Sequence, residues 1–126
     1  MSLLESGEMY LEAIYVLSQK SKTVRGIDVA EYLGYSKPSV SRGLGLLKEQ
    51  ELIEKDENSN LKLTKTGLAH AKRIYERHTV LTQLFINLGV DKKTASEDAC
   101  RIEHYISSKT FKAVKDHMEK YQNAKK

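Results

Sequence analysis

One proline, Pro38, and seven glycines are the only strong helix breakers in this chain of 126 residues. That scarcity leaves little room for turns, so helix must dominate. Residues 5–19 read as an amphipathic helix with Met9, Ala13, Val16 and Leu17 on its buried side. A short second helix covers residues 27–33 and stops at Gly34. Ser36 is placed to cap the next helix, with Pro38 in its first turn, where a missing N–H costs little. That third helix carries Val40, Leu44 and Leu47 on its apolar side. Residues 52–55 then read as a strand, 56–60 as a turn and 61–64 as a returning strand. Helix, turn, helix and hairpin in this order make a winged helix-turn-helix. Gly43 and Gly45 strain the third helix, each costing about 1 kcal/mol relative to Ala. The packing of Val40, Leu44 and Leu47 must offset that cost.

A long helix follows over residues 65–88, where Leu68, Ala71, Tyr75, His78, Leu81, Phe85 and Leu88 recur at threes and fours, and Gly89 ends it. Further helices are predicted over 92–107 and 109–121, with a polar, frayed tail over 122–126. The fold class is mainly α: an N-terminal winged helix-turn-helix DNA-binding domain over residues 1–70, then a helical dimerisation and metal-sensing domain over 71–126. The apolar stripe of the long helix exceeds what one small domain covers, which points to a homodimer.

Charge permits a nucleic-acid partner without requiring one. The net charge is only +4, but Lys20, Lys22 and Arg25 form one acid-free cluster and Lys37, Arg42 and Lys48 another. Glu49, Glu51, Glu54, Asp56 and Glu57 follow at once. Solvated helix faces are the plain alternative for such runs. No apolar run approaches the roughly 20 residues that span a bilayer. No basic-then-apolar leader is apparent, and the single Cys suits a cytoplasmic protein. No zinc-protease motif, phosphate loop or nucleophile constellation is present, so neither an enzyme nor a small organic substrate is expected.

Metal-capable side chains stand at both ends of the chain. Met9 and Glu12 are three apart; Cys100, Glu103 and His104 share another helical face, with His78 between. Each also fits a packing role. A lone Cys or Met fills cores, His78 sits in an apolar stripe, and Glu12 and Glu103 suit solvent. Glu5, Glu8, Glu97 and Asp98 would make a metal-free site acidic.

The chain resembles the iron- and manganese-dependent repressor family, of the diphtheria toxin repressor and manganese transport regulator type. The residues that carry the resemblance are Glu8-Met9-Tyr10-Leu11-Glu12-Ala13-Ile14-Tyr15, Ser39-Val40-Ser41, Leu61-Lys62-Leu63-Thr64-Lys65-Thr66-Gly67, Arg77-His78 and Ile102-Glu103-His104-Tyr105. The resemblance implies a metal site of Met9, Glu12, His78, Cys100, Glu103 and His104. Met9 and Cys100 match the iron branch, where the manganese branch has acids. Thr82 and Ser96 stand where further ligands of an ancillary site would be expected. The form expected from the resemblance is the short, two-domain one, without the third, barrel-like domain of the large iron regulators. Thioether and thiolate favour softer ions than oxygen donors do, so Fe(II) is expected, with Mn(II) the alternative and Zn(II), Co(II) or Ni(II) able to bind in vitro. The resemblance implies double-stranded DNA carrying a palindromic operator as the partner. Ser39 and Arg42 are expected at base edges, with Arg25, Lys37, Ser41 and Lys62 on phosphates. The implied function is a metal-dependent, homodimeric repressor of metal-homeostasis genes. The alternative is a metal-independent winged-helix regulator that senses oxidant or a small ligand through the Cys100 region.

Overall fold

The computed structural model describes the backbone over residues 5–124 and side-chain surroundings over residues 7–121. Six helices and one hairpin occur among the described residues. The chain folds as two compact units, Met1–Arg73 and Ile74–Lys126, and the boundary between them falls inside the long fourth helix.

The first unit opens with α1 (Glu5–Lys20), α2 (Gly26–Leu33) and α3 (Lys37–Glu49). Ser36 caps α3 by accepting from the Ser39 N–H, with Pro38 in the first turn, and α2 stops at Gly34. Strands β1 (Ile53–Lys55) and β2 (Leu61–Leu63) pair antiparallel, with Ile53 opposite Leu63 and Lys55 opposite Leu61. Asp56 shapes the turn between them. Its carboxylate accepts from the backbone N–H groups of Asn58 and Asn60 at 2.8 and 2.9 Å. The core joins Leu11 and Ile14 of α1, Val29 of α2, Val40, Leu44 and Leu47 of α3, and Leu52, Ile53 and Leu61 around the hairpin. Each such burial stabilises by about 1.5–3 kcal/mol before entropy is counted.

The buried side of α1 differs from the expected one. Tyr10, Leu11, Ala13 and Ile14 are buried, whereas Met9, Val16 and Leu17 are half-buried. Both stripes are apolar, so periodicity left the rotation of the helix undecided. Packing on α2 and α3 chose the Leu11–Ile14 side.

Helix α4 (Lys65–Asn87) begins where the wing ends. Thr64 Oγ1 accepts from the Gly67 N–H at 3.1 Å and donates to the Glu51 carbonyl at 2.7 Å. A Cβ at Gly67 would lie 1.9 Å from the Leu52 carbonyl oxygen, so this junction of wing and helix admits only glycine. The Thr64-Lys65-Thr66-Gly67 motif is therefore a helix cap with a close backbone approach.

The second unit holds the rest of α4, α5 (Lys92–Ile102) and α6 (Ser108–Ala124). Asp91 caps α5 through the Thr94 N–H and hydroxyl, both at 3.0 Å. Ile74, Leu81, Ala95, Ala99, Phe111 and Met118 are buried. On α4, Ile74 is buried where Tyr75 was expected; Tyr75 and Leu88 are exposed. Helix α5 ends five residues earlier than its periodicity suggests, so Glu103 and His104 lie in a turn rather than on a helix. Helix α6 runs further than expected, through Ala124, and the side chains of the tail over 122–126 lie outside the described residues.

Candidate metal centre and nucleic-acid interface

Leaving the helix does not scatter the downstream candidate ligands. A sulfur of Cys100, a carboxylate oxygen of Glu103 and a ring nitrogen of His104 all lie within 4.8 Å of one another. Glu103 is the only buried charged or polar residue among those described, at 0% exposure. The solvent-facing role open to it from sequence is thus excluded. Its Oε2 lies 2.9 Å from His78 Nδ1. Its Oε1 lies 3.4 Å from His104 Nε2 and, among the described residues, accepts no hydrogen bond. A buried carboxylate oxygen without a donor is costly unless a cation meets it. Thiolate, carboxylate and imidazole together form a donor set for first-row divalent ions, so the residues present fit a metal.

His78 is built into the same cluster. Its Nε2 lies 3.4 Å from Ser96 Oγ, and its carbonyl accepts from Thr82 Oγ1 at 2.7 Å. The two hydroxyls at the expected ancillary positions therefore surround His78. Met9 and Glu12 belong to the first unit, half-buried on α1. The Met9 thioether accepts from the Tyr35 hydroxyl at 3.5 Å. Two of the expected acids have partners: Glu8 Oε2 lies 3.1 Å from His70 Nε2, and Asp98 pairs with Arg101 at 2.9 Å. Glu97 is exposed, and the Glu5 side chain lies outside the described residues. Arg77, which precedes His78 on α4, holds the turn that carries Glu103 and His104. It donates to the carbonyls of Glu103 and Ile106 at 3.1 and 2.9 Å. Nothing in one sequence marks that role.

On the first unit, Arg25, Lys37, Ser39, Ser41, Arg42 and Lys62 are all exposed. Lys37, Ser39, Ser41 and Arg42 lie in the first turns of α3, the part of a recognition helix that reaches base edges. The Ser39 hydroxyl is shared with the cap, 2.9 Å from Ser36 Oγ. Arg25 precedes α2, its N–H donating to Asp28 at 2.8 Å, and Lys62 lies on β2. Lys55 of β1 lines a groove with Lys37 and Ser41. It is a further phosphate candidate, missed because a single strand lysine carries no pattern. Tyr10, beneath α3, has its hydroxyl pKa raised by burial first and by Tyr35 second, with Arg42 opposing.

A winged helix with an exposed polar recognition helix, followed by a helical unit with a Cys–Glu–His cluster around a buried carboxylate, defines a metal-responsive DNA-binding regulator. The chain belongs to the iron dependent repressor family. Its N-terminal DNA binding domain matches residues 2–61, and its metal binding and dimerisation domain matches residues 64–125. An uncharacterised HTH-type transcriptional regulator of Methanocaldococcus jannaschii is 29% identical over 121 residues, covering 94% of this chain and 97% of that protein. MntR of Bacillus velezensis is 30% identical over 118 residues, covering 94% and 83%. The manganese regulator SloR superposes with a TM-score of 0.81 at 27% identity, covering 94% of this chain and 55% of that one. The chain thus spans about half the length of SloR. As a family member it is a metal-dependent DNA-binding repressor with a dimerisation domain. The family consists of transcriptional repressors, which are not enzymes. No described helix is long and apolar enough to cross a membrane.

Proposed function

We propose that this protein is an Fe(II)-activated homodimeric repressor of metal-homeostasis genes, acting in the cytoplasm at a palindromic operator. The observation that carries this is the buried Glu103, its Oε1 beside His104 Nε2 and grouped with the Cys100 sulfur. A divalent cation supplies the positive charge against which these groups can converge. Cys100, Glu103 and His104 are the downstream ligands. Met9 and Glu12, from the DNA-binding module, complete the set together with His78; this part rests on the family resemblance. The two sulfur donors favour Fe(II) over the alternative, Mn(II), and leave Zn(II), Co(II) and Ni(II) as in vitro binders.

The functional halves are residues 1–70, which bind DNA, and 71–126, which sense metal and dimerise. Ligands drawn from both halves must be satisfied together. That requirement restricts their mutual orientation and shifts the population toward the DNA-competent one, by no more than the difference in metal affinity between the two states. Arg42 and Ser39 then read base edges, while Arg25, Lys37, Ser41 and Lys62 hold phosphates. The test is DNA binding to a duplex selected from a random pool, measured anaerobically in Fe(II), in Mn(II) and in excess chelator. Binding that needs metal, and is lost in Glu103→Gln, supports the reading. Equal affinity in chelator and in Fe(II) refutes it.

A further inference from the structure

We propose that Arg77 is a positioning residue for the metal cluster, and that with His78 it clamps Glu103 from both ends. This rests on the reading of Cys100, Glu103 and His104 as ligands. Helix α5 stops at Ile102, and a helix end leaves carbonyls without partners of their own. Arg77 Nη1 takes two carbonyls of the turn that follows, those of Glu103 at 3.1 Å and Ile106 at 2.9 Å. Nη2 reaches Ser108 Oγ at 3.2 Å, and the guanidinium lies over the Phe111 ring, 5.6 Å from its centroid. One planar fork thus ties the turn to the start of α6. The next residue of the same helix, His78, holds the other end of Glu103 by meeting Oε2 at 2.9 Å.

Backbone and one carboxylate oxygen of Glu103 are therefore both fixed from α4, and Oε1 is the oxygen presented toward His104 Nε2, 3.4 Å away. Glu103 keeps its N–H bond to the Ala99 carbonyl at 2.9 Å, and Arg77 gives its carbonyl the donor that a further helical turn would have supplied. Arginine suits the task because its five N–H donors form a rigid fork; lysine offers one flexible ammonium. Arg77 orients the ligands without itself touching metal. Its loss is expected to weaken binding roughly 10–100-fold, the usual effect of removing an orienting partner of a metal ligand.

The experiment titrates metal-free protein with Co(II) and follows the thiolate-to-metal and ligand-field absorption bands, for wild type, Arg77→Ala and Arg77→Lys. Far-UV circular dichroism checks that helix content is kept. The expected result is a tenfold or greater loss of affinity and altered ligand-field bands in both variants. The lysine variant should fail like alanine although it keeps the charge. Unchanged affinity and bands in both variants overturn the proposal, as does full rescue by lysine, which would reduce Arg77 to a point charge. If Arg77→Ala folds poorly, Arg77→Lys carries the test alone, because it keeps the charge and an aliphatic stem against Phe111. Cys100→Ser and Glu103→Gln separate the two levels. If these also leave Co(II) binding intact, the ligand reading has failed. If they abolish binding while the Arg77 variants do not alter it, only the clamp has failed.

Discussion

Gly43 and Gly45 lie two apart inside α3, yet only at Gly45 is replacement with alanine expected to stabilise the protein. Alanine gains about 1 kcal/mol over glycine at either position from helix propensity alone. At Gly45 a new Cβ meets nothing within 4 Å, so Gly45→Ala should keep that gain. At Gly43 the new Cβ would lie 2.0, 2.6 and 2.9 Å from three atoms of the Tyr10 ring. That ring is 5% exposed, stands edge-on to Tyr35 with centroids 6.2 Å apart, and donates its hydroxyl to the Ser39 carbonyl at 3.4 Å. It cannot swing aside without losing these contacts. Overpacking of this kind costs about 1–3 kcal/mol, which cancels or exceeds the propensity gain. Gly43→Ala should therefore be neutral or destabilised by up to about 2 kcal/mol, and the two variants should differ by about 1–3 kcal/mol. Urea unfolding of metal-free protein followed by circular dichroism measures both, with the midpoint compared at constant slope. Adding Tyr10→Leu to Gly43→Ala should recover part of the loss as a positive coupling. Equal stabilities for the two alanine variants would show that the Tyr10 ring yields freely, and the packing explanation of Gly43 would be wrong.

Three further outcomes are expected. Arg42→Ala should lower DNA affinity and relax sequence preference at one position of each half-site by about 1–3 kcal/mol, whereas Lys37→Ala should weaken binding to all sequences and reduce the salt slope; quantitative binding to selected and scrambled duplexes distinguishes them, and an unaltered preference in Arg42→Ala removes it from base readout. Met9→Asp combined with Cys100→Glu should move the DNA-binding response from Fe(II) toward Mn(II), since two sulfur donors give way to oxygens; an unchanged rank order of metals would make Met9 and Cys100 packing residues. Asp56 and Asp91 have pKa values lowered from the ordinary 3.8, chiefly by the backbone N–H of Asn60 and of Thr94 respectively. A lowered carboxylate pKa contributes stability that is present above 3.8 and lost as pH falls through the folded value. Asp56→Asn and Asp91→Asn should each flatten the acid limb of a stability-versus-pH curve, and a limb of unchanged slope in both would discount these caps.

Local chemistry settles most of the element order. Ser36 with Pro38, the turn at Asp56, and the glycines at 34 and 89 are signals whose partners lie within a few residues, so the chain alone shows where helices and strands begin and stop. The metal-capable residues are visible for a related reason, because sulfur, imidazole and carboxylate side chains at helical spacing stand out against an ordinary soluble composition. Three features depend on contacts distant in sequence. The end of α5 at Ile102 accompanies Arg77, 26 residues upstream of Glu103, whose fork takes carbonyls of the following turn; periodicity over 92–107 has no access to that competitor. The rotation of α1 is decided by packing on α2 and α3, since both of its candidate stripes are apolar. The need for Gly43 comes from Tyr10, 33 positions away on another helix, and that of Gly67 from the Leu52 carbonyl. The burial of Glu103 is of the same kind. Desolvation depends on every neighbour at once, and only the folded chain brings those neighbours together.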